Sequence, residues 1–383
     1  MKIIHTSDWH IGKRLNEHDL LSDQRQVLTQ WIEEVASKKP DLVIIAGDLY
    51  DRSLPSQEAV GLVDELFVKM AHELSCPVTL ISGNHDNGRR VGYGGYFFEQ
   101  QGIYVAGQPE RVPKRVAVGQ ADVYLLPFAY PATIRDLYED PTIKTVIDAV
   151  KRQVAEIKKI WDPKRLNILV YHGSVTANVP KHAGEDVAYA SEHHLLSVGT
   201  VEFVPVSLFE GFDYIALGHI HNAQQIGSAP CYYSGSPLKY SKNEADQIKQ
   251  YYEVDLNKET CQVMPHLIYP KHPLRTERGT FHDLLNGTPS EDYLYFELTD
   301  KTAQTEAMSR LRQVYPNAMS LQYVDLAHSD QPLFNSETNV RTTTHAKDLV
   351  SYYQEFYQQM MGEALSEQQE TMVRELLQTL EEE

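Results

Sequence analysis

Apolar positions in the first ~270 residues alternate between two periods. Continuous apolar runs at Lys2–Thr6, 41–46, Val78–Ile81, 124–128, 168–171 and 214–217 read as strands buried on both faces. Between them the spacing changes to three and four. Leu28, Trp31, Ile32 and Val35 mark one helix face, and Leu62, Val63, Leu66, Phe67, Met70 and Leu74 mark a second, with Ser56 as its N-cap. A third helical stretch spans 142–160, and Cys231–Tyr233, 250–255 and 262–268 close the series as short strands. Strands alternating with helices predict an α/β (α+β) domain over 1–269.

Pro270 and Pro273 break this pattern. Behind them lies a compact strand, helix, strand, helix, strand unit: 274–276, Phe281–Leu285, Tyr293–Leu298, 305–314 and 320–324. Over 270–328 it is at the low end of size for independent stability and is expected to lean on the first domain. Residues 329–344 are polar and without period, a linker. In 345–383, Leu349, Tyr352, Tyr353, Phe356 and Met360 face one helix, and Met372, Val373, Leu376, Leu377 and Leu380 a second. Two readings stand for this pair, a hairpin packed on the domains or a helical tail that docks on a partner.

Composition narrows the class. A chain of 383 residues with a 42% hydrophobic fraction supports one large buried core and a smaller unit. Cys76, Cys231 and Cys261 are odd in number and widely spaced, which argues against a disulfide framework or a thiolate zinc site and for buried, reduced thiols. No basic leader precedes the first strand and no apolar run approaches ~18 residues, so a cytoplasmic protein with no membrane span is expected. The net charge of −18 opposes autonomous nucleic-acid binding, whose affinity comes mainly from Lys and Arg. Either the substrate is small, or metal ions and a partner supply positive charge.

Candidate chemistry gathers at the strand ends. Asp8-Trp9-His10, Gly47-Asp48-Leu49-Tyr50-Asp51-Arg52, Gly83-Asn84-His85-Asp86, His172 and Gly218-His219-Ile220-His221 each stand just past a predicted strand. Open α/β sheets place ligand sites there, and five ends on one shared edge would bring the clusters together. Taken singly, a strand-end histidine is more often a packing residue, Asp51-Arg52 an ion pair, and Gly47 or Gly83 a turn residue. Jointly, carboxylate, carboxamide and imidazole donors from five places form the mixed N/O set that two adjacent divalent metals require. Manganese or iron suits that set better than magnesium alone.

The ordered motifs resemble the calcineurin-like metallophosphoesterase superfamily, and Thr6 to Gly12, Ala46 to Arg52 and Phe209 to His221 narrow the likeness to its bacterial SbcD nuclease-subunit family. The resemblance implies a β-sandwich flanked by helices with a small α+β capping domain and C-terminal helices. It implies that Asp8, His10, Asp48 and His221 hold one divalent ion, most simply Mn2+ with Mg2+ or Fe2+ as alternatives. Asp48, Asn84, His172 and His219 then hold the second, with Asp48 as bridge. His85 is implied to contact the scissile phosphate and assist the departing oxygen, with Asp51, Arg52 and Asp86 nearby. Asp86 either orients His85 or caps the following turn.

As implied partners the family brings DNA and an SbcC-type coiled-coil ATPase, with a homodimer inside a heterotetramer. Its activity is exonuclease (3'-to-5') and endonuclease cleavage in DNA replication, recombination and repair, at the bacterial nucleoid. The competing reading is a small-molecule metallophosphatase or phosphodiesterase, in which Arg52 forks onto a terminal phosphate. The segment 178–194 lies just beyond His172 and is read as either a substrate-channel wall or a solvated loop.

Overall fold

The computed structural model describes residues 1–177 and 203–324, together with Gln369. The segment 178–194, the linker 329–344 and the helices expected in 345–383 lie outside the described residues, Gln369 apart. Met1–Ser329 form one compact unit.

Two six-stranded mixed sheets make its centre. In the first, β1 (Lys2–Thr6), β2 (Leu42–Ile45), β3 (Val78–Ile81) and β4 (Ile103–Ala106) run parallel, connected through α1 (Leu21–Lys38) and α2 (Gln57–Glu73). The second contains β5 (Lys114–Val118), β6 (Ala121–Leu126), β7 (Leu166–His172), β8 (Tyr214–Gly218), β9 (Gln224–Gln225) and β10 (Cys231–Tyr233), with α3 (Val146–Ile160) between β6 and β7. The antiparallel pair β11 (Gln250–Leu256) and β12 (Cys261–Leu267) returns to β1 and completes the first sheet.

Side-chain alternation explains why the sheets stack. Along β2 and its end, Leu42, Ile44 and Ala46 join one apolar cluster with Val123, Leu125, Ile168 and Val170 of the second sheet. Their neighbours Val43 and Ile45 point the other way, among Leu28, Trp31 and Ile32 of α1 and Leu62 and Leu66 of α2. Leu169 and Tyr171 of β7 likewise meet Val150, Val154 and Ile157 of α3. Every strand of this kind is buried on both faces, as the continuous apolar runs require. The result is a sandwich with helices on both outer faces.

The five clusters therefore do not share one sheet edge. The first three follow β1, β2 and β3 of one sheet, and His172 and Gly218 end β7 and β8 of the other. Stacking brings the two sets face to face. The thiols also depart from expectation in part, since Cys231 is buried but Cys76 and Cys261 are only partly so; all three are free.

His5, just ahead of the motifs on β1, belongs to the sandwich interior. Its ring meets the Tyr214 hydroxyl at 2.9 Å and the Leu217 carbonyl at 3.2 Å. Burial pushes the imidazole down to about 3, although the Leu217 hydrogen bond works the other way. The neutral ring favours the fold at pH above the unfolded value of about 6.5, and that stability is lost as pH falls from there toward about 3. We expect a slope of about 1.4 kcal/mol per pH unit. Urea unfolding in EDTA at pH 6.5 and 5 should therefore show a larger loss for the native chain than for His5→Gln; equal losses would mean that His5 is not held neutral.

A third, three-stranded parallel sheet, β13 (Leu274–Gly279), β14 (Tyr293–Leu298) and β15 (Ala318–Tyr323), carries α4 (Phe281–Leu285) and α5 (Ala307–Val314). Leu274, Tyr293, Tyr295 and Met319 pack against Leu15, Leu20, Val27, Leu238 and Tyr240. At the centre of this contact Asp23 of α1 accepts hydrogen bonds from the Tyr293 hydroxyl and His272 Nδ1, each at 2.8 Å. The small unit leans on the large one through a mixed apolar and charged seam. Among the described residues, no helix is long and apolar enough to cross a membrane.

Candidate metal centre

Backbone geometry turns the strand ends into a site. Asp8, His10, Asp48 and His219 all adopt positive φ, an uncommon state for residues with a Cβ that persists only where surrounding structure enforces it. The enforcement is visible. Asp8 N–H bonds to the Gly47 carbonyl at 3.0 Å and His10 N–H to the Asp48 carbonyl at 3.0 Å, while Trp9 between them is fully buried against Trp31. Gln24 of α1 donates to the carbonyls of Trp9 and His10 at 3.1 and 2.8 Å. Gly47 at φ +94 and Gly83 are required by close approach: a Cβ on the first would overlap the His172 ring, and on the second the Asp48 carboxylate.

The side chains converge on a buried space. Asp48 Oδ2 lies 3.5 Å from His10 Nε2 and 3.4 Å from His172 Nε2, between the two motif sets. His10 Nε2 faces His221 Nε2 at 3.0 Å. Asn84 Oδ1 lies 3.0 Å from His172 Nε2 and 2.9 Å from His219 Nδ1. Asp8 groups with His10 and His221 and also with Asp48 and His172, and its carboxylate accepts from Ser7 Oγ and from His219 N–H. All seven residues singled out as ligands thus surround one region.

Two of the rings turn a lone pair into this space when neutral. His172 Nδ1 pairs with the Ala46 carbonyl at 2.8 Å, so Nδ1 carries a proton and Nε2, when the ring is neutral, presents its lone pair to Asn84 and Asp48. His221 Nδ1 pairs with Glu244 Oε1 at 3.0 Å, which leaves Nε2 as a lone pair toward His10. With the ring neutral, His172 Nε2 at 3.0 Å from Asn84 Oδ1 and 3.4 Å from Asp48 Oδ2 is an acceptor facing acceptors, which repel unless protons or cations lie between them. An octahedral ion with ~2.1 Å bonds spaces its ligands roughly 3 Å apart, so the donor set fits divalent metals.

Charge tells the same story. Burial would lower His172, but Asp48, its hydrogen bond and Asp8 outweigh that and push the ring up to about 9. Burial would likewise raise Asp48, but His172 and His10 hold its carboxyl well below the usual range. Asp8 is pushed up, by burial first and by Asp48's charge as well. A proton on His172 does the neutralising that a divalent ion would do.

The remaining candidates line this space in different ways. His85 donates its backbone N–H to Asp48 Oδ1 at 2.9 Å, and its Nδ1 meets the Asp51 carbonyl at 2.8 Å. Asp86 accepts backbone N–H groups of Gly83 at 2.9 Å, Leu49 at 3.1 Å and Tyr50 at 2.9 Å. These bonds reach back to Gly83 and across to the Gly47 motif rather than into the following turn, so Asp86 ties two motifs together, which is neither of the two roles left open for it. Burial, then Asp48's charge, pushes its carboxyl up to about 7. Asp51 Oδ1 lies 3.2 Å from Lys13 Nζ and 3.7 Å from His10 Nδ1, while Arg52 is exposed at the rim with Nε 3.5 Å from Asp51 Oδ2.

Sequence reasoning did not identify Glu244, Lys249, Gln24 or the Ser7–Ser234 hydrogen bond of 2.8 Å. Ser7 could have been read from its place beside Asp8. Glu244 lies in a short turn (Lys242–Glu244) away from any strand end and carried no signal.

A two-sheet sandwich with paired metal-donor sets at facing strand ends defines a metallophosphoesterase, and the calcineurin-like phosphoesterase family matches residues 1–223. The SbcD subunit of the SbcCD nuclease from Staphylococcus epidermidis is 33% identical over 384 residues, spanning 98% of both chains. The chain belongs to this SbcD family of calcineurin-like phosphoesterases. Residues 270–360 match the type 5 capsule protein repressor C-terminal domain, also termed SbcD_C. Two solved structures also align. TT1561 of Thermus thermophilus has 11% identity and a TM-score of 0.39, covering 69% of this chain and 98% of its own. A conserved uncharacterized protein of Streptococcus pneumoniae has 13% identity and a TM-score of 0.30, covering 70% and 93%.

Proposed function

We propose that this chain is a two-metal DNA phosphodiesterase, the nuclease subunit of an SbcCD-type complex that processes DNA ends and hairpins. The observation that carries the reading is Asp48 Oδ2 standing between His10 Nε2 and His172 Nε2. Asp8, His10, Asp48 and His221 would hold one ion, and Asp48, Asn84, His172 and His219 the other. The nitrogen-rich set favours Mn2+, ahead of Fe2+ and Mg2+. When bound, such ions offset phosphodiester charge and acidify an attacking water.

The protein's own contribution is placement. Asp48 couples the two donor sets, and Asp86 and Gln24 fix the loops that carry them. His85, anchored at Nδ1 by the Asp51 carbonyl, presents Nε2 toward a phosphate oxygen and, when protonated, gives its proton to the departing alkoxide. Arg52 at the rim is suited to a flanking phosphate.

The full-length match to an SbcD relative supports the nuclease reading over a small-molecule phosphatase. In this reading residues 1–269 are the nuclease domain, 270–328 the cap, 329–344 a linker, and 345–383 the helices that dock on an SbcC-type ATPase. The protein works in the cytoplasm as a homodimer within a heterotetramer. Val60 on α2 and Arg89, Arg90 and Tyr93 line one cavity of about 640 Å³, with Tyr96 and Phe97 exposed in the same segment. Such an aromatic surface with two arginines suits a second copy. The test incubates the purified protein with Mn2+ and either labelled DNA duplex or a chromogenic phosphomonoester. DNA cleavage abolished by EDTA is expected; turnover of the monoester alone would overturn the reading.

A further inference from the structure

Behind His221 lies a charged group that the mechanism above does not use. Glu244 and Lys249 are buried, with Lys249 Nζ 2.5 Å from Glu244 Oε2. A buried ion pair is a poor source of stability because both charges lose their hydration. Its geometry is directed at one ring. Glu244 Oε1 accepts from His221 Nδ1 at 3.0 Å, and the Lys249 ammonium donates to the backbone carbonyl of the same His221 at 3.0 Å. Ser236 Oγ at 2.8 Å and Gln247 Oε1 at 2.9 Å also face Lys249 Nζ, so four acceptors share its three N–H donors and none is left over. Ser241 Oγ braces Glu244 from the other side at 3.2 Å.

One ammonium thus holds both ends of a single residue: the main chain of His221 directly, and its imidazole through Glu244. Rotation of the ring or drift of the backbone breaks a buried hydrogen bond. We propose that Glu244 and Lys249 are positioning residues that aim His221 Nε2 at the ion it shares with Asp8 and His10, and that they set the affinity of that ion without altering its neighbour. Carboxylates behind metal-binding histidines fix tautomer and ring orientation in this way, and their loss typically costs roughly 10–100-fold in metal affinity. The inference rests on the two-ion reading above.

Two variants and one titration test it. Glu244→Ala should weaken one of two Mn2+ affinities by roughly 10–100-fold in calorimetry and leave the other unchanged, with kcat recovered at saturating Mn2+. Because Glu244→Ala strands a buried Lys249, the charge-free double variant Glu244→Gln with Lys249→Met is measured beside it. An amide oxygen at position 244 can still accept from His221 Nδ1, so the double variant should recover part of the affinity lost in Glu244→Ala and melt, metal-free, near the native chain. Two unchanged sites in Glu244→Ala, or both sites weakened in parallel with a fall in metal-free melting temperature, would overturn the positioning role. A native chain that binds no pair of ions would instead overturn the two-ion reading itself.

Discussion

Asp48→Asn is expected to abolish hydrolysis and to weaken both metal ions together. The carboxylate oxygen it removes lies within 3.5 Å of imidazoles from both donor sets. Replacing it by an amide nitrogen exchanges a shared anionic ligand for a donor, so neither ion keeps its bridge. The variant should nevertheless fold. The new amide oxygen can still accept the His85 N–H that Asp48 Oδ1 accepts at 2.9 Å, and its NH2 can donate to the Nε2 lone pairs of His10 or His172. Calorimetric Mn2+ titration and metal-free melting together check this. Two intact sites in Asp48→Asn would exclude the bridging assignment, and an unfolded variant would show that the carboxylate is structural as well.

The second large effect belongs to His85. Its ring is held by a backbone carbonyl and stacks edge-on against His10, with centroids 4.7 Å apart, next to the donor sets but outside the seven proposed ligands. His85→Ala should lower kcat by roughly 10²–10⁴-fold while leaving metal stoichiometry intact, because proton transfer and phosphate contact are what is lost. The contrast is His219→Ala, which should lose metal, since His219 Nδ1 faces Asn84 Oδ1 at 2.9 Å. If His85→Ala emptied the site, His85 would have to join the ligand shell.

Much of this was legible because apolar runs and strand ends are local signals. The strands at Val78–Ile81, Cys231–Tyr233 and Tyr293–Leu298 and the helix Phe281–Leu285 fall where the hydrophobic pattern places them. The misreadings have physical causes. The strand expected at 124–128 begins instead at Ala121, because Asp122 reads as a surface charge but is buried against Arg165, Nε to Oδ2 3.0 Å. The helix expected from 142 starts at Val146, where Thr145 and Asp148 form a reciprocal cap. Lys114–Val118 buries only Val116 and Val118, and Pro131–Tyr138 only Ile134, so neither left a pattern strong enough to read.

At the site, the candidate residues were legible and their arrangement was not. Asp8, Asp48 and Asn84 announce themselves at strand ends, but nothing local says that His172 and His219 arrive from a second sheet. Sheet membership is decided by which apolar faces pair, a property of the whole sandwich. Glu244 and Lys249 reach His221 only through that packing.

Asp48 as a bridge between two ions is tested most directly by a crystal grown with Mn2+ and measured at the manganese anomalous edge. Two anomalous peaks are expected, roughly 3.5–4 Å apart, one beside His10 and His221, the other beside His172, Asn84 and His219, with Asp48 touching both. A single peak, or two peaks of which Asp48 touches only one, would contradict it.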